Sequence, residues 1–150
     1  MKICIIDDDW VCRFIVQKLL GKVLETPNIL QFEDGQVAID YIQEWRDNPG
    51  CLPELILLDI NMPVANGWLF LDMLRKLNND EYNPLIYISS SSQHPEDMAK
   101  VDTYPEVQGF LPKPLNVEAL KTIIKDFNKS KSHSVAHGQN DTVWHNRFCA

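Results

Sequence analysis

Asp7, Asp8, Asp59, Ser89 and Lys113 are the residues whose types can do chemistry as a set. Each stands at the end of a short apolar run. KICII leads into Asp7 and Asp8, LILL into Asp59, LIYIS finishes on Ser89, and VQGFL reaches Lys113 after one proline. If those runs end at a common rim, three carboxylates, a hydroxyl and an ammonium meet there. Carboxylates that close together repel and raise each other's pKa unless positive charge sits among them. Lys113 brings a single charge. An all-oxygen donor set also suits a hard dication, and magnesium takes few protein ligands and keeps several waters. A carboxylate among such partners can attack phosphorus and become an aspartyl phosphate. That step asks for positioning and for neutralised phosphoryl oxygens, which magnesium, an ammonium and a hydroxyl supply. Asp59 is the natural acceptor, being the lone acid of its strand end. Asp7 and Asp8 are placed to hold the ion directly or through water, and Asn61 can offer it a backbone carbonyl. Neither histidine nor cysteine falls at this rim, so acyl chemistry of the triad type has no actor.

The positioning elements are read from hydrophobic period. Residues 2–6, 29–32, 55–58, 85–89 and 107–111 are apolar runs of strand length. Between them apolar residues recur at three- and four-residue steps: Val11, Phe14, Ile15, Leu19 and Val23, then Val37, Ala38, Tyr41, Ile42 and Trp45, then Trp68, Leu71, Leu74 and Leu77. Asp34 and Asn116 are set to cap helices, and Pro95 suits the first turn of a thin fourth helix carrying Met98, Ala99 and Val101. Leu120, Ile123, Ile124 and Phe127 line a fifth helix. Strands alternating with helices, the strands apolar almost throughout, predict an α/β fold with a parallel sheet covered on both faces. All strands of such a sheet end at one edge, where ligands bind.

One domain is expected over residues 1–128, with 129–150 a polar, flexible tail and no output module. The formal charge of −7 disfavours direct nucleic-acid binding, whose main attraction is to phosphate. No run approaches the roughly 18 apolar residues of a membrane span, and the acidic N-terminus is no secretory signal. Cys4, Cys12, Cys51 and Cys149 have no paired spacing, so reduced thiols and a cytoplasmic location are expected.

The stretches IIDDDW, LILLDINMPVANGW, LIYISS and GFLPKPLN, in this order, resemble a response regulator receiver domain of the single-domain, chemotaxis-regulator type. The resemblance spans about residues 1–128 and implies a doubly wound, flavodoxin-like sheet of five strands in the order 2-1-3-4-5. It implies Asp59 as phosphoacceptor and Asp8 as direct magnesium ligand, with Asp7 acting through water and Asn61 through its carbonyl; Mn2+ is an accepted substitute. Ser89 matches the hydroxyl that turns toward the phosphoryl group, Lys113 the lysine that contacts it, and Lys113–Pro114 a cis peptide. Phe110 matches the aromatic that moves with Ser89. The implied donor is a sensor histidine kinase or histidine phosphotransfer protein. The output is a changed surface of helix four, strand five and helix five, read by an unnamed protein target, or else onward phosphotransfer in a relay. Such a domain catalyses only its own phosphorylation and slow dephosphorylation.

Two other classes compete with this reading. Asp7 and Asp9 resemble the nucleophile motif of haloacid-dehalogenase-type phosphatases, with Asp7 attacking; that reading leaves Asp59 unexplained and lacks the family's late acidic pair. A flavin or nucleotide module wants a phosphate-cradling first loop, whereas DDDW repels phosphate unless a cation intervenes.

Overall fold

In the computed structural model, residues 1–77, 82–91 and 94–134 are described. The elements are β1 (Lys2–Ile6), α1 (Trp10–Val23), β2 (Asn28–Phe32), α2 (Gly35–Trp45), a 3-10 turn (Pro49–Cys51), β3 (Leu55–Leu58), α3 (Gly67–Leu77), β4 (Leu85–Ser90), α4 (Pro95–Val101), β5 (Val107–Pro112) and α5 (Val117–Ser134). The five strands form one sheet in the order β2-β1-β3-β4-β5, every neighbouring pair parallel. This is the flavodoxin-like α/β arrangement expected.

Period-two alternation splits the strands between two cores. Cys4, Ile6, Ile56, Leu58 and Ile86 pack with Ala38, Ile39 and Ile42 of α2 and with Phe70, Leu71 and Leu74 of α3. Ile3, Ile5, Leu55, Leu57 and Tyr87 pack with Val16 and Leu20 of α1 and with Leu120, Ile123, Ile124 and Phe127 of α5. The chain is therefore held from both sides, and the strand ends become fixed points. Asp34 caps α2 as expected, accepting from the backbone N–H groups of Gln36 and Val37. Asn116 accepts from that of Ala119 at the start of α5.

Two expectations need correction. α5 does not stop where its apolar stripe ends near Phe127 but runs to Ser134. An established helix adds residues at little cost, and lysine is a good helix former. Lys131 is also held, by an ion pair to Glu54 just before β3. The rest of the expected tail, residues 135–150, lies outside the described residues. Second, Cys4 and Cys12 are free thiols, but Cys51 is disulfide-bonded, so the all-thiol expectation fails there.

α4 is anchored unlike the other helices. It has no buried residue. Lys100 Nζ lies 4.7 Å over the Trp68 ring of α3. Just beyond it, Tyr104 donates to Asp72 Oδ1 at 3.0 Å, and Arg75 Nη2 donates to the Thr103 carbonyl at 2.9 Å.

Gly67 fixes the turn that follows the third strand. A Cβ there would stand 2.5 Å from the Asp59 carbonyl oxygen and 2.8 Å from Ile60 Cα, both backbone atoms that cannot step aside. Gly67→Val is expected to cost about 3 kcal/mol, at the upper end for overpacking. Chemical denaturation would show it as a lower midpoint, and an unchanged midpoint would mean the loop is free to move.

Candidate functional site

The acids reach their places because the sheet ladder continues one residue past the strands. Asp7 N–H donates to the Phe32 carbonyl at 3.1 Å, and Asp59 N–H to that of Ile6 at 2.8 Å. Both carboxylates end up buried. Asp8 follows in the turn and stays exposed. Carboxylate oxygens of Asp7, Asp8 and Asp59 lie within 4.8 Å of one another. Lys113 arrives from the loop after β5, where its backbone N–H donates to the Ser90 carbonyl at 2.9 Å. Its ammonium sits 2.7 Å from Asp7 Oδ2 and 2.8 Å from Asp59 Oδ2, bridging the two buried acids. The Lys113–Pro114 peptide is cis.

Backbone donors complete the two buried carboxylates. Asp9 N–H donates to Asp7 Oδ1 at 2.9 Å, and Asn61 N–H to Asp59 Oδ1 at 3.0 Å. The parallel register pairs Leu58 with Ile88, so Asp59 and Ser89 stand one step further along neighbouring strands. The Ser89 hydroxyl is buried and, among the described residues, has no hydrogen-bond partner. A buried hydroxyl without a partner normally costs stability, and this one stands on the strand beside the Asp59 carboxylate. Phe110 is half-buried on β5, opposite Ile88.

The electrostatics are lopsided. Burial pushes the Asp7 carboxyl above the usual carboxylate range, and its bonds to Lys113 only partly offset this. Burial also pulls Lys113 down, but hydrogen bonds and charge from Asp59 and Asp7 outweigh it and leave the ammonium above its ordinary value. Three carboxylates against one ammonium leave net negative charge in a pocket of oxygen donors. The group fits a divalent cation.

A stability consequence follows from Asp7. With its folded pKa raised, the folded protein holds this proton in a range where the unfolded chain has released it. The resulting stabilisation is present at low pH and lost as pH rises through the raised value, so at neutral pH the ionised side chain weighs against folding. Asp7→Asn is therefore expected to melt a few degrees higher than the parent at pH 7 in chelator, with the difference vanishing below about pH 3.8, the ordinary value. Thermal melts at both pH values decide it; a lower melting temperature for the variant at pH 7 would mean the Lys113 pairing outweighs burial.

The structure thus brings Asp7, Asp8, Asp59 and Lys113 together, sets Ser89 on the adjoining strand, and leaves Phe110 further along the sheet. Three participants were not foreseen. Asp9 caps α1, accepting from the backbone N–H groups of Val11 and Cys12; an acid directly before a helical period was the available signal. Arg13 Nη1 donates to the Asp7 carbonyl from the first turns of that helix. Ser90, fully buried, accepts from Asn61 Nδ2 at 2.9 Å and ties the loop after β3 to β4. Nothing in the sequence marks that last contact.

Comparison with known proteins identifies the family. The profile of the response regulator receiver domain matches residues 3–125. A solved two-component response regulator from Cytophaga hutchinsonii is 27% identical, covers 85% of this chain and 96% of its own, and superposes with a TM-score of 0.77. Among curated relatives, the probable methanogenesis regulatory protein FilR2 of Methanothrix harundinacea is 22% identical across 85% of this chain and 81% of its own length. The sensor histidine kinase CheAY of Helicobacter pylori is 29% identical across 80% of this chain, which spans only 14% of that larger protein. No helix among the described residues is long and apolar enough to cross a membrane.

Proposed function

Because the chain belongs to the response regulator receiver domain family, we propose that Asp59 accepts a phosphoryl group from a phosphohistidine on a partner protein and that the change is read at the α4–β5–α5 surface. The observation that carries this is the Lys113 ammonium shared between Asp7 and Asp59, with Asp8 beside them. In the reaction a phosphohistidine N–P bond breaks, an Asp59 O–P bond forms, and the imidazole leaves with the electron pair. Asp59 is positioned by the Asn61 N–H, and Lys113 offers positive charge to an equatorial phosphoryl oxygen. Ser89 is the donor held in reserve on the next strand, and its turning inward frees space that the Phe110 ring fills.

The cation is magnesium, with manganese as a substitute. Asp8 and Asp59 would hold it directly, the Asn61 carbonyl would add a third oxygen, and Asp7 would act through water. When bound, the ion neutralises charge between the acceptor and the incoming phosphoryl oxygens.

A histidine kinase or phosphotransfer protein is the donor partner. This is supported by the family assignment and by the occurrence of a similar segment within a sensor histidine kinase. A kinase charged by ATP places the exchange in the cytoplasm. The receiver of the signal is a protein that reads α4, the helix with no residue in the core. The phosphatase reading, with Asp7 as nucleophile, falls with the family assignment.

The test is intact mass after incubation with acetyl phosphate and magnesium. One phosphoryl group is expected, absent when a chelator replaces the metal. Incorporation that ignores the chelator would remove the cation from the reading.

A further inference from the structure

The sheet has a second opening, at the end opposite the acids. A cavity of about 680 Å³ lies among the starts of β1, β3 and β4, a size within the range of small-molecule sites. Lys2, Arg46, Leu52, Glu54, Phe127 and Lys131 are among its lining residues. Lys2 is the unusual one. It opens β1 and is only 9% exposed, whereas lysine is almost never buried without a partner. Among the described residues, no hydrogen bond or ion pair engages its ammonium. Burial pulls that ammonium below its ordinary value, and charge from Glu54 offsets this only in part.

Glu54 is the one acid among the described lining residues, and it is engaged elsewhere. Its carboxylate accepts from the Lys2 backbone N–H at 2.9 Å and pairs with the Lys131 ammonium. Arg46 has a loose contact, at 3.9 Å, with the solvent-exposed Asp47. Once Glu54 and Lys131 cancel, Lys2 and Arg46 remain, a doubly positive hollow in a chain of formal charge −7. An ammonium kept from water without an acceptor costs free energy, and a bound anion offsets that cost.

We propose that this cavity binds a small aryl oxyanion, a carboxylate or a phosphate carried on an aromatic ring. The anionic group meets the Lys2 ammonium and the Arg46 guanidinium, a fork that suits either oxyanion. The ring lies against Leu52 and Phe127 of the same wall. An inorganic ion leaves that apolar wall wet, and a neutral ring leaves Lys2 without a partner, so the fit calls for both parts in one molecule. No bond is made or broken. Asp59 stands at the other end of the strands, so occupancy requires neither a metal nor a phosphoryl group.

The experiment titrates the isotope-labelled full chain, in chelator, with benzoate and with phenyl phosphate, and follows its backbone amides by NMR. At least one of the two is expected to shift the amides of Lys2, Leu52 and Glu54 and to saturate by about 10 mM, leaving those of Asp8 and Asp59 in place. Which of them does so identifies the oxyanion. Benzyl alcohol and inorganic phosphate, each carrying half of the recognised features, are expected to bind at least about tenfold more weakly. Lys2→Met keeps the apolar stem and is expected to lose about tenfold in affinity for the aryl anion. Arg46→Ala changes a half-exposed side chain that folding does not need, and is expected to bind severalfold more weakly. No saturable shift with either aryl anion, equal binding of benzyl alcohol or inorganic phosphate, shifts confined to the acid end, or full affinity in either variant would each overturn the proposal. Phosphorylation chemistry at the other end of the sheet is a separate question and stands or falls by its own test.

Discussion

Asp59→Asn is expected to take up no phosphoryl group from acetyl phosphate under conditions in which the parent takes up one. The amide keeps the shape of the side chain and one of its oxygens, so the hydrogen bond from the Asn61 N–H at 3.0 Å can persist. What it removes is the negative charge of the proposed acceptor and the partner of the Lys113 ammonium at 2.8 Å. A neutral amide does not attack phosphorus at a useful rate, so the loss should be complete on the scale of a mass measurement. The bound group in the parent should also be released by hydroxylamine, as an acyl phosphate is and a phosphoserine is not. Phosphate found on the variant, or resistance in the parent, would move the acceptor to a hydroxyl such as Ser89.

Lys113→Ala is expected to slow phosphorylation about 100-fold, the usual effect of removing one preorganised group that stabilises developing charge. It has a second consequence that Asp59→Asn lacks. Its ammonium is the contact shared by both buried acids, and stripping the partner from a buried ion pair costs about 3 kcal/mol or more. The metal-free variant should therefore melt well below the parent. Magnesium should return most of the loss, because a dication among the same oxygens replaces the missing charge. Melts with metal and with chelator separate the two roles: a variant equally unstable in both has lost packing and not charge balance.

The degree to which all this could be read in the sequence differs between levels. KICII and LILL are apolar at nearly every position, and only a strand covered on both faces needs that, so the layered sheet was legible. The order β2-β1-β3-β4-β5 was not, because periodicity says which residues are buried and never which strands are neighbours; it came from the resemblance. The gathering of Asp7, Asp8, Asp59 and Lys113 followed from parallel strands sharing one edge. The bond from Asn61 to Ser90 depends on the path of the loop after β3, which no local pattern fixes. The end of α5 was misplaced because the apolar stripe fades at Phe127, while the continuation rests on Lys131 finding Glu54, distant in sequence.

The mooring of α4 carries one more consequence. Among its ties are an ammonium over an indole, and a phenol and a guanidinium just past its end, while the helix itself places no residue in the core. Opening this segment should need far less energy than unfolding the whole, so its amides should exchange early and independently. Selection can then rewrite the outward residues of that helix with little risk to folding. Which listener hears the signal can drift over generations while the chemistry that produces it stays put.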